Sequence, residues 1–160
     1  FTQYVADQAT SLSNTYLLDA YCGCGLFSLS LADRFEHVTG IEVSASSADW
    51  ARFNAKANGI TNATFITASA EQLFKEVHSQ GSDTTVVIDP PRAGCDQKFL
   101  KQLLDFAPSL IVYVSCDPAT QMRDLTHFLS AGYTIRCIQP FDLFPQTRHM
   151  ECVITLERSV

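Results

Sequence analysis

The sequence predicts an α/β fold built on a doubly wound, mostly parallel sheet. Two observations predict it. Short apolar runs alternate along the chain with longer amphipathic stretches, the order that builds βαβ units. The runs are apolar at successive positions rather than at every second one, as strands covered on both faces require.

Each element follows in chain order. TQYVADQATSL reads as the end of a helix. YLLDA (16–20) is the first strand, and Leu26–Arg34 the helix after it. VTGIE (38–42) is a strand, followed by a helix over Ala45–Asn58 that Asn58-Gly59 stops. ATFIT (63–67) is a strand and Ala70–His78 a helix. TTVVID (84–89) is a strand broken by Pro90-Pro91. A helix over Gln97–Phe106 follows, with Asp96 as its cap. LIVYVS (110–115) is a strand and Ala119–Ser130 a helix. YTIRCIQPFD (133–142) is extended at least in part, and ECVITLE (151–157) is a last strand.

Bulk properties bound the function. With 160 residues, 46% of them hydrophobic and 18% charged, the chain can bury a core. A net charge of −6 argues against a general grip on nucleic-acid backbones by this segment alone. No apolar run is long enough for a membrane helix. The cysteines lack the framework of a small secreted domain, which points to a reducing intracellular setting. The opening FTQYVADQAT has neither an initiator Met nor a leader layout, so the chain is expected to be a fragment of a longer protein.

In doubly wound sheets, ligands bind beyond the carboxyl ends of the strands. At the first such end, DAYCGCG places Gly23 and Gly25 on the turn into a helix. There a backbone without Cβ atoms can approach a ligand, and free N–H groups are exposed. Glu42 ends the next strand, where an acid accepts hydrogen bonds from ribose hydroxyls. Ser28 stands where the third glycine of a dinucleotide motif belongs, which favours a nucleoside without phosphates, such as S-adenosylmethionine. Cys22 and Cys24 have no second Cys or His pair at suitable spacing, so no metal site is expected.

Two further strand ends carry reactive groups. Asp89 precedes two prolines that fix its direction, and Asp96 is the better helix cap, which leaves Asp89 for function. Cys116 lies just past its strand in VYVSCDPAT. A helix starting near Ala119 aims its positive end at that thiol and favours the nucleophilic thiolate.

In their order along the chain, DAYCGCGLFSLSLA, VTGIEVS, NAKANGI, VIDPPRAG, VYVSCDPAT and FDLFPQTRHMEC resemble the RNA uracil-C5 methyltransferases. The resemblance covers about Leu17 to Glu157. It implies a seven-stranded Rossmann-like fold, S-adenosylmethionine as methyl donor, and an RNA substrate. The pattern is most like that of fungal members acting on a T-loop uridine of tRNA. It implies that Cys116 adds to C6 of a uracil flipped out of the RNA and that Glu151 removes the C5 proton. Tyr21, Gly23, Gly25, Glu42 and Asp89 then hold the cofactor, and Arg92, Asp117 and His149 contact substrate.

It further implies that residues 1–160 are one catalytic domain, the C-terminal part of a protein whose N-terminal RNA-binding region is absent here. Two positions depart from the family pattern. Leu26 replaces a frequent Asn that contacts the cofactor, and Asp117 replaces the usual Asn beside the nucleophile. An ionised acid close to the thiol would oppose its ionisation. The opening FTQ mimics a family Gln element but stands too close to Tyr21, so Gln3 is read as coincidence.

Two other readings stand beside this one. A cytosine-C5 RNA methyltransferase uses similar chemistry but tends to place a Pro-Cys pair where this chain has Pro90-Pro91-Arg92. A non-catalytic domain binding RNA or a partner protein is favoured by Leu26, Asp117 and the negative charge.

Overall fold

The computed structural model describes residues 1–159 except 76 and 78. Seven strands form one sheet: β1 (Tyr16–Ala20), β2 (His37–Glu42), β3 (Ala63–Thr67), β4 (Thr84–Ile88), β5 (Leu110–Ser115), β6 (Tyr133–Phe141) and β7 (Glu151–Arg158). Their order is β3-β2-β1-β4-β5-β7-β6. The first five strands are parallel, and β7 enters antiparallel between β5 and β6. The chain reverses between β3 and β4, so β1 and β4 are neighbours whose loops diverge at their carboxyl ends.

Among the described residues, five α-helices flank the sheet: α1 (Thr2–Ala9), α2 (Leu26–Ser30), α3 (Ala45–Ala57), α4 (Gln97–Phe106) and α5 (Pro118–Ser130). Successive strand residues feed opposite faces. Leu18, Val86, Ile111 and Tyr113 pack with Phe99, Leu103 and Phe128 on one side. Leu17, Val87, Val112 and Val114 pack with Val5, Phe27 and Leu31 on the other. This two-sided burial explains the unbroken apolar runs.

Two helix expectations need correction. The Leu26–Arg34 helix divides into α2 and a 3-10 turn at Ala32–Arg34. Leu31 N–H still bonds to Phe27 O, but Arg34 N–H turns to Leu31 O, the tighter pairing of a 3-10 turn. Ala70–Lys75 is a 3-10 segment rather than an α-helix; of the remaining positions expected to be helical, 76 and 78 lie outside the described residues. β4 ends at Ile88, which leaves Asp89 just beyond it. Gln3 lies on α1, where its amide donates to Asp7 at 2.8 Å.

Candidate active site

The carboxyl ends of β1, β2, β4 and β5 and the start of β7 meet at one edge. Ala20 pairs with both Ile41 and Ile88, so Tyr21, Glu42 and Asp89 follow side by side. Ser115 pairs with Cys152, so one step further Cys116 and Glu151 stand at the same edge on adjacent strands. Phe141 pairs with Glu151, which brings the exposed 142–150 loop, including half-buried His149, to the same end.

The loop after β1 is shaped by its own carboxylates. Gly23 donates its N–H to one Glu42 oxygen at 3.0 Å, and Ser44 donates to the other at 2.8 Å. Each oxygen keeps a lone pair for a further donor. Tyr21 has a left-handed backbone (φ 71°), and its ring meets Phe99 edge-on at 5.4 Å. Gly25 (φ 92°) caps α2. Its left-handed backbone is one that side-chain-bearing residues rarely adopt, so the turn itself favours glycine here. At Gly23 the space a Cβ would fill is open. Leu26 is the first residue of α2 and is 54% exposed.

One residue of the first strand end, to which the sequence assigned no role, stands beneath this loop. Asp19 is wholly buried within β1. One of its oxygens accepts from Ser28 N–H at 2.9 Å and from Ser28 Oγ–H, while the other has no partner among the described residues. Burial pushes its carboxyl up to about 7; the Ser28 bonds oppose that rise, and the charges of Asp89 and Glu42 add to it. The acid interrupting the apolar YLLDA run was the available signal.

Asp89 is half-buried, and burial pushes its carboxyl up to about 6, with the negative charge of Glu151 adding to the effect. Desolvation and that charge raise it, and among the described residues no hydrogen bond reaches its side chain. Burial also raises the Glu151 carboxyl above the ordinary range. A carboxylate with raised pKa is a stronger base near neutrality.

Cys116 is a free, half-buried thiol between β5 and α5. Asp117 caps α5, accepting from Ala119 N–H at 2.9 Å and Thr120 N–H at 3.2 Å through the same oxygen. Its carboxylate is therefore committed to the helix start, the task its neighbour Pro118 also serves. Arg92 is exposed, and its guanidinium has no protein partner among the described residues. No three His, Cys, Asp or Glu side chains gather as a metal-ligand set among the described residues. No described helix is long and apolar enough to cross a membrane.

A family model, tRNA (Uracil-5-)-methyltransferase, matches residues 3–159. The tRNA (uracil(54)-C(5))-methyltransferase of Schizosaccharomyces pombe is 45% identical, across all of this chain and 32% of its own length. The Saccharomyces cerevisiae enzyme of the same name is 43% identical over 98% of this chain and 26% of its own length. The chain thus spans between a quarter and a third of these two relatives. A crystal structure of Pyrococcus abyssi tRNA (uracil-54, C5)-methyltransferase with S-adenosyl-L-homocysteine superposes with a TM-score of 0.82 and 36% identity, covering 96% of this chain and 37% of that one. A putative methyltransferase from Streptococcus mutans, 12% identical with a TM-score of 0.74, shares the fold.

Proposed function

The chain belongs to the tRNA (uracil-5-)-methyltransferase family, and from that premise we propose that it is the catalytic domain of an enzyme that methylates C5 of a uridine in tRNA, at the T-loop. The observation that carries the reading is the shared sheet edge of Cys116 and Glu151, next to a cofactor cradle. The RNA grip that an acidic domain lacks belongs to the additional length its relatives possess.

The cradle fits S-adenosylmethionine. Glu42 keeps lone pairs for ribose hydroxyls, Asp89 is a desolvated carboxylate that no hydrogen bond from the described residues reaches, and the surface over Gly23 is open. Tyr21 and Gly25 shape the wall and the turn. When bound, the cofactor supplies an electrophilic methyl group.

The residues of the chain do the rest. C5 of uracil is a weak nucleophile. The Cys116 thiolate forms a bond to C6, and the electrons of the C5–C6 double bond move toward C5 and O4. C5 thereby becomes nucleophilic enough to take a methyl group. The C5 proton then passes to Glu151, the double bond reforms, and the C6–S bond breaks to return the thiolate. Glu151 releases its proton to water. Arg92, Asp117 and His149 are the residues proposed to face the RNA, Asp117 through the helix start it fixes. The target base must leave its stack to reach this edge.

Incubation of the full-length protein with unmodified tRNA and S-adenosylmethionine, followed by nucleoside analysis, tests the proposal. It predicts 5-methyluridine. Formation of 5-methylcytidine would select the cytosine-directed reading, and no methylated nucleoside would select a non-catalytic one.

A further inference from the structure

The segment Arg92–Cys95 is exposed at Arg92 and Ala93, yet its backbone is held from outside. Thr120 Oγ lies 3.0 Å from Arg92 O and 3.2 Å from Asp117 O, so its one proton bonds Arg92 O at the shorter distance with Asp117 O as the alternative acceptor. Arg123 Nη2 donates to Ala93 O at 3.0 Å. Asp124 Oδ2 accepts from Cys95 N–H at 2.7 Å. All three side chains come from one turn of α5, at spacings that share a helix face. Gly94 (φ 78°) has no room for a side chain, because a Cβ there would meet Arg123 Nη2 at 2.5 Å and Asp124 Oδ2 at 2.7 Å.

This arrangement is costly. Asp124 is a fully buried carboxylate that also accepts from Tyr113 Oη at 2.8 Å and pairs with Arg123 at 2.8 Å. A buried ion pair is by itself weak evidence of stabilisation, and this one also ties backbone from two elements together. What the network does is geometric. α5 starts directly after Cys116, so the helix that fixes the thiol also carries the backbone of Arg92. Asp89, on the strand side of Pro90-Pro91, depends on β4 instead.

We propose that Thr120, Arg123 and Asp124 are positioning residues that hold the backbone of Arg92–Cys95 at a fixed place relative to Cys116, from which the free Arg92 guanidinium reaches the RNA beside the target uridine. The inference rests on the reading above that Arg92 faces RNA. Loss of the clamp weakens RNA engagement and leaves the cofactor cradle untouched.

The test uses full-length protein, tRNA containing 5-fluorouridine, and S-adenosylmethionine, and reads formation of the stable protein–RNA adduct. Arg92→Ala and Thr120→Val are each expected to raise the half-saturating RNA concentration about tenfold, the effect of losing one well-placed polar contact. Thr120→Ser restores wild-type behaviour. Melting temperature and calorimetric affinity for S-adenosylmethionine stay at wild-type values. Because Thr120 acts through Arg92, Arg92→Ala/Thr120→Val is no worse than Arg92→Ala alone. An impaired Arg92→Ala beside an unimpaired Thr120→Val overturns the clamp alone, as do multiplicative losses in the double variant. A Thr120→Val defect accompanied by weaker cofactor binding and a lower melting temperature also overturns it. An unimpaired Arg92→Ala overturns the reading of Arg92 and the clamp with it.

Discussion

Cys116 and Glu151 occupy neighbouring positions at one sheet edge because β7 runs antiparallel to β5, with Ser115 opposite Cys152. A purely parallel sheet could not do this with an incoming strand. Only an antiparallel insertion brings the start of one strand beside the end of another. The two groups proposed to act at adjacent ring atoms, C6 and C5, thus reach one place from opposite chain directions.

The two residues should separate the reaction into halves. Glu151→Gln is expected to methylate and then stall, so a protein–RNA adduct accumulates on ordinary uridine and turnover falls by 100-fold or more, in the range of general-base losses (roughly 10²–10⁴). Gel analysis under denaturing conditions reads this directly. An absence of adduct in Glu151→Gln removes Glu151 from the base role.

Cofactor affinity should depend on pH through Asp89. Its carboxyl ionises near 6 in the free protein. The ionised form favours a cationic sulfonium ligand. S-adenosylmethionine should therefore bind more weakly as pH falls below 6, by up to about tenfold per unit. Asp89→Asn should bind weakly and show no such trend by calorimetry. A variant that keeps the wild-type pH profile would point to another group.

Stability should fall as pH rises from about 4 to about 7. Burial pushes the folded Asp19 carboxyl up to about 7, whereas in an unfolded chain it ionises around 3.8. Across that window the native state binds more protons, so each step up in pH costs stability. Asp19→Asn should flatten the trend and gain roughly 5 °C relative to wild type between pH 5 and pH 8. Parallel melting curves across that range would show that Asp19 ionises as freely folded as unfolded.

Asp117 should matter as a cap more than as a charge. Asp117→Ala is expected to cost about 1 kcal/mol of stability, the usual loss for an N-cap. Asp117→Asn keeps an acceptor and should melt within a degree or two of wild type. Equal destabilisation in both variants would show that the charge, not the cap, carries the effect.

Much of this site was legible in the sequence because strand ends announce themselves. Continuous apolar runs locate the strands, and the small, acidic or Cys residues just beyond them locate the edge. Asp96 as the α4 cap and Gly59 after α3 were equally plain. What stayed hidden depends on tertiary contact. The Leu26–Arg34 stretch has helical spacing, yet the α-helical pairing stops at Leu31 and Arg34 N–H turns back to Leu31 O. Asp124 looks like one more polar position on an amphipathic helix. Only the packing of α5 over Gly94 shows that it is buried and shared. Leu26 was flagged as a departure, and the structure shows that its side chain faces solvent.

The most direct test of the central claim is to map the covalent adduct. Full-length protein is incubated with S-adenosylmethionine and tRNA carrying 5-fluorouridine, where fluorine cannot leave as a proton does. The complex is digested, and the modified peptide is sequenced by mass spectrometry. The nucleotide should be found on the sulfur of Cys116, with the methyl group transferred and the bond absent in Cys116→Ala. An adduct on another cysteine, or one that persists undiminished in Cys116→Ala, would contradict the account.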